Sequence, residues 1–137
     1  ALDSEKSLRP PKVESTVPHF NFSPLKNALD KLNNITEILD QKLALGKVDK
    51  KNRAEINRQL LLSERKLTLD KGLPGRDWYK HQIYAPGFYT GYGVKTLPRV
   101  RESIEAEFYD QVNKEIKITA EVIDTYVVHL SSIEKLL

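Results

Sequence analysis

Apolar residues at three- and four-residue spacing constrain this chain more than any other feature. Leu25, Leu29, Leu32, Ile35, Leu39 and Leu43 recur in that rhythm, which lays one stripe along an α-helix. The stripe opens at Ser23-Pro24, an N-cap followed by a proline whose missing N–H costs nothing in the first turn, and it ends near Gly46. A second helix is expected after Asp49, with Ile56, Leu60, Ser63 and Leu67 as its inner stripe, widened by Leu61 and Leu62. The short connection makes these two helices antiparallel neighbours. Thr96-Leu97-Pro98 opens a third helix, with Val100, Ile104 and Phe108 on one side. The last helix runs from about Val112 to the C-terminus. Its Ile116, Ile118, Ala120, Val122, Ile123, Tyr126, Val127, Leu130 and Ile133 cover about 200° of the wheel, roughly twice what one partner needs. That arc is expected to pack on its own bundle and also on a surface outside this chain, or on a second copy. No segment reads as a convincing strand. The expected fold is all-α: a four-helix bundle over 23–137, with a long aromatic and glycine-rich crossover loop between the second and third helices. Residues 1–22, with Pro10, Pro11 and Pro18, are expected as an extended lead-in.

Composition narrows the function. A chain of 137 residues is one domain with a modest core. Its 22 basic and 19 acidic residues interleave, so no face gathers the cations that phosphate contacts need, and no nucleic-acid partner is expected. No apolar run approaches the ~18 residues of a membrane span, so no direct membrane insertion is expected. The absence of cysteine excludes disulfides and thiolate ligands. Methionine is absent even at position 1, so the chain is expected to be processed or a piece of something longer. His19, His81 and His129 stand far apart, without zinc-ligand spacing, and no HExxH, CxxC, Walker loop or Gly-x-Ser-x-Gly elbow occurs. No catalytic residue, metal site or cofactor is therefore expected within this chain. His129, at the edge of the last helix's arc, reads as a core or interface histidine.

Two glycosylation sequons occur, Asn21-Phe22-Ser23 and Asn34-Ile35-Thr36. Asn34 lies nine residues beyond Leu25, about 180° round the helix, and so faces away from the apolar stripe. A glycan there would meet only water. Asn21 sits beside the helix start, where it can equally serve as a turn residue.

The stretch 73-LPGRDWYKHQIYAPGFYTGYGVKTLP-98 holds the only tryptophan, four of the six tyrosines and four of the six glycines. Gly87, Gly91 and Gly93 allow positive φ and close approach to a ligand. Tyrosines add rigid walls whose hydroxyls can hydrogen-bond a substrate. Trp78, Tyr79 and Tyr84 are expected to pin the crossover onto the bundle. Tyr92 stands between glycines, where packing alone would not favour a large side chain.

This segment resembles the C-terminal helical domain of the glutamate carboxypeptidase II and transferrin receptor family, the transferrin receptor-like dimerisation domain. The matching residues are Leu73, Pro74, Arg76, Trp78, Tyr79, Lys80, His81, Ile83, Tyr84, Ala85, Pro86, Tyr92 and Pro98. The helical hairpin before the loop and the long last helix also fit, so the resemblance covers about residues 20–137. Asn34-Ile35-Thr36-Glu37 resembles a glycosylated Asn-x-Thr-Glu of the carboxypeptidase. The resemblance implies a homodimer and a parent with a single membrane anchor and a protease-like domain. Two zinc ions, their ligands and the general-base glutamate are expected in that missing domain. An extracellular or lumenal location follows, in the secretory pathway or a vacuole. In the peptidases this loop folds over the active site, where a Lys-Tyr pair contacts the C-terminal carboxylate of a peptide substrate. Tyr92 matches the tyrosine, but Gly91 stands where the lysine would be. Lys95 is the candidate replacement. The alternative is the dimerisation and partner-binding domain of a non-catalytic transferrin receptor-like protein. The Tyr-Ala-Pro run and Tyr92 favour the peptidase.

Overall fold

The computed structural model describes Val13 and residues 16–137, so Pro10, Pro11 and most of the expected lead-in lie outside the described residues. Among the described residues, four helices hold more than half: α1 (Ser23–Ala44), α2 (Lys50–Leu61), α3 (Pro98–Glu105) and α4 (Tyr109–Glu134). A 3₁₀ turn, Ser63–Leu67, follows α2. Between that turn and α3, β1 (Tyr84–Pro86) pairs antiparallel with β2 (Val94–Thr96), Ala85 facing Lys95. This ribbon corrects the expectation of no strand. Three residues are too few to show an alternation in sequence.

The start of α1 differs in detail from its sequence signal. Phe22 is the N-cap and Ser23 already lies in the helix. Asn21 does the capping instead, its Oδ1 accepting from the Ser23 amide at 3.1 Å, while its own amide donates to Asn113 Oδ1 at 3.0 Å. Phe20, assigned to the lead-in on sequence, is buried in the core, its ring 5.8 Å from that of Tyr109.

α4 is the organising element. Lys31 pairs with Asp124 and Lys42 with Glu134. Together with the Asn21–Asn113 bond, these contacts advance in step along both helices, so α1 and α4 run parallel. α2 lies antiparallel to α4, with Asn52 Nδ2 donating to Leu136 O and His129 lying against Gln59 O. A first apolar cluster joins Phe20, Leu25 and Ala28 to Val100, Val112, Ile116, Ala120 and Ile123. A second joins Ile35 and Leu39 to Ile56, Leu130 and Ile133. The principal contacts of α2, the 3₁₀ turn and α3 are all with α4. The helices are therefore arranged around one central member.

That arrangement accounts for the broad arc of α4. Ile116, Ala120, Val122, Ile123, Leu130 and Ile133 are buried within this chain. The arc therefore packs on its own bundle as expected, while Ile118, Tyr126 and Val127 of the same arc stay half-buried. α2, by contrast, buries little. Ile56 is its buried apolar residue, while Leu60 and Leu61, expected inside, are 50% and 84% exposed, and the α-helix ends at Leu61. Phe108 lies beyond the end of α3 and is exposed. His129 is buried as expected, Nε2 lying 3.1 Å from Ser63 Oγ.

Candidate functional site at the tyrosine-bearing loop

The segment from 68 to 97 has little regular structure, so its backbone groups need other partners. Charged and amide side chains supply them. Arg99 donates to Gly72 O at 2.7 Å, to Gln82 Oε1 at 3.0 Å and to Glu115 Oε2 at 2.7 Å, and all three side chains in this network are buried. Lys80 Nζ donates to the carbonyls of Asp70 and Asp77. These bonds fix the first half of the segment to α3 and α4. Gly72 has φ +67°, and a Cβ there would lie 2.3 Å from Asp77 O. Glycine is required at that position by both conformation and space.

The second half is the ribbon and its tip. Gly87 N donates to Gly93 O at 2.9 Å and Gly91 N to Gly87 O at 3.1 Å, closing a tight loop. The three glycines act differently from one another. Gly91 has φ +63°, while a Cβ at Gly87 would lie 2.2 Å from the side-chain Oγ1 of Thr90 and force that side chain to turn, and Gly93 meets neither condition. At the tip Tyr92 is fully exposed.

Below the tip, Glu102 of α3 accepts from the Phe88 amide at 2.9 Å through Oε1 and from Arg76 at 2.7 Å through Oε2. Arg76 also donates to Pro86 O at 2.5 Å, and its guanidinium lies 5.4 Å from the Phe88 ring centre. Both members of this ion pair are largely buried. Glu102 gave no signal in sequence, being one acid in a short charged helix.

Lys95, on β2, is bonded to Glu105 and mostly buried, while Arg101 also bonds Glu105 at 3.0 Å. These bonds, that of Lys95 foremost, hold the Glu105 carboxyl below its ordinary range. Lys95 thus ties β2 to α3.

The aromatic residues divide. Tyr79 is half-buried, but Trp78 is 74% exposed, touches Tyr79 edge-on and does not pin the segment as expected. Tyr84 stacks on His81 with ring centres 4.1 Å apart. Its hydroxyl faces Glu64 Oε1 at 3.4 Å, whose negative charge pushes the phenol up. His81 Nδ1 accepts from the Ile83 amide, which places the ring proton on Nε2. Asn34 is exposed on α1, and Asn21 is exposed but held through its side-chain oxygen. Among the described residues, no group of three or more His, Asp or Glu stands where it could hold a metal ion, and no helix is long and apolar enough to cross a membrane.

Known proteins resemble this chain in sequence. A protein named "Probable glutamate carboxypeptidase" from Arabidopsis thaliana is 33% identical over 105 residues, covering 77% of this chain and 15% of its own length. Another of that name, from Arthroderma benhamiae, is 32% identical over 123 residues, covering 83% of this chain and 15% of its own. The chain thus spans about 15% of the length of these relatives. The family model described as the transferrin receptor-like dimerisation domain matches residues 20–131, from buried Phe20 through the clamped loop and along α4. The chain belongs to the transferrin receptor-like dimerisation domain family.

Proposed function

We propose that this chain is the dimerisation domain of a glutamate carboxypeptidase-like zinc exopeptidase, and that its Gly/Tyr loop completes the substrate pocket of a separate protease-like domain. The observation that carries this reading is the placement of Tyr92: a fully exposed aromatic on a tip whose root is fixed by a buried ion pair. Packing within the chain does not account for a tyrosine there. A substrate carboxylate does, because the phenol can donate to it. The two zinc ions and the catalytic groups belong to the protease-like domain, and this chain contributes positioning and binding. The parent is proposed as a homodimer, with a single membrane span outside this chain.

In the intact peptidase, Tyr92→Phe removes one hydrogen bond to a charged group, worth about 1.5–3 kcal/mol. The expected result is a fall in kcat/KM of roughly ten- to hundredfold, with metal content and dimerisation unchanged. Lys95→Ala should change kcat/KM less, since Lys95 is engaged by Glu105. A Tyr92→Phe enzyme within about twofold of the parent would make the loop a structural connection only.

The same reading places the domain outside the cell or in a lumen, and Asn34 bears on it. Its side chain is exposed on a helix face free of core contacts, whereas that of Asn21 is occupied at the start of α1. Peptide mass spectrometry of the protein from a eukaryotic secretory host should find glycan at Asn34. An unmodified Asn34 in native material would remove this support.

A further inference from the structure

We infer that Arg76 and Glu102 are positioning residues that set where the Tyr92 tip stands, acting through the Phe88 amide. This inference rests on the proposed role of Tyr92 only in what the positioning is for; the geometry stands by itself. The bonds inside the tip are local: Gly87 to Gly93, Gly91 to Gly87, and Tyr92 to Thr90 at 2.7 Å. They give the tip its shape but do not say where it points. Among the described residues, the hydrogen bond joining the tip to a helix is that of the Phe88 amide to Glu102. One carboxylate therefore holds the tip with one oxygen and a buried guanidinium with the other.

Arg76 completes the geometry. It fixes Glu102, and it donates to Pro86 O immediately before the tip. The pair thus grips both Pro86 and Phe88, on either side of the glycine where the ribbon turns into the tip. Charge-assisted bonds of this kind are short and directional, which suits a device whose task is orientation. A tip without the grip would keep its internal bonds and swing about Gly87.

Residue-resolved amide hydrogen exchange on the full chain tests this. In the unsubstituted chain Phe88 should exchange about tenfold or more slowly than Tyr89 and Thr90, whose amides have no such anchor. Glu102→Ala should erase that protection, with Ile116 and Ile123 in α4 unchanged. Glu102→Gln, whose amide oxygen can still accept, should restore most of it. Phe88 exchanging as fast as Thr90 in the unsubstituted chain would overturn the inference even if the alanine variant does not fold, as would unchanged Phe88 protection in a folded Glu102→Ala chain. Kinetics of the intact peptidase then separate the two readings. If Phe88 protection is lost but neither Glu102→Ala nor Tyr92→Phe alters kcat/KM, the grip stands and the pocket-completing role fails.

Discussion

Arg99→Met should destabilise the chain by about 3–5 kcal/mol, the loss expected when one partner of a buried ion pair is removed. Methionine keeps much of the apolar stem, so lost packing contributes little. What remains is Glu115, 5% exposed, without its 2.7 Å partner. Gln82 Oε1 also loses its donor, and Gly72 O keeps only the Gln82 amide at 3.2 Å. Replacing Glu115 together with Arg99 by apolar residues should recover part of the loss, because the stranded charge is then gone. Urea denaturation, read as the shift in midpoint at constant slope, measures both variants. A loss below about 1 kcal/mol for Arg99→Met would mean that water reaches Glu115 and the network is not closed.

Gly72→Ala should cost about 3 kcal/mol or more, from two additive causes. The left-handed conformation at φ +67° penalises any Cβ by about 1–2 kcal/mol. The new carbon would also meet the backbone of Asp77, with O at 2.3 Å, C at 2.6 Å and Cα at 2.7 Å, and backbone cannot rotate away. The turn must open, carrying with it the carbonyl that Arg99 and Gln82 share. Gly46→Ala is the internal control. It has φ +65° but nothing within 4 Å of the added carbon, so it should lose only about 1–2 kcal/mol. Equal losses at the two positions, measured by thermal or urea unfolding, would show that the clash at Gly72 relaxes freely.

What could be read from sequence follows from the range of the interactions. Helix existence was legible because the stripe of α1 and the prolines at 24 and 98 are local signals. The outward face of Asn34 followed from the same geometry. The end of α2 was not legible, since Leu60, Leu61 and Leu62 continue an apolar rhythm that the chain does not bury. The arc of α4 was read correctly as broad and as packing on its own bundle, but the elements of the chain that cover it were not legible. Sequence could not show that α1, α2, the 3₁₀ turn and α3 all contact one helix. At the site, Tyr92 stood out through its glycine neighbours. Arg99, Gln82 and Glu102 did not, because each reads as a surface residue until a partner 14 to 27 positions away in the chain is known.

The parallel pairing of α1 with α4 has a consequence for synthesis. Bonded residues on these two helices lie 92 or 93 positions apart, and closing so long a loop delays the contacts that reward it. Within this segment α1 is made before α4. Until α4 follows, Leu25, Ile35 and Leu39 have no permanent cover. Translation of this segment must nearly finish before either apolar cluster can close, and holding chaperones would meet α1 throughout that interval.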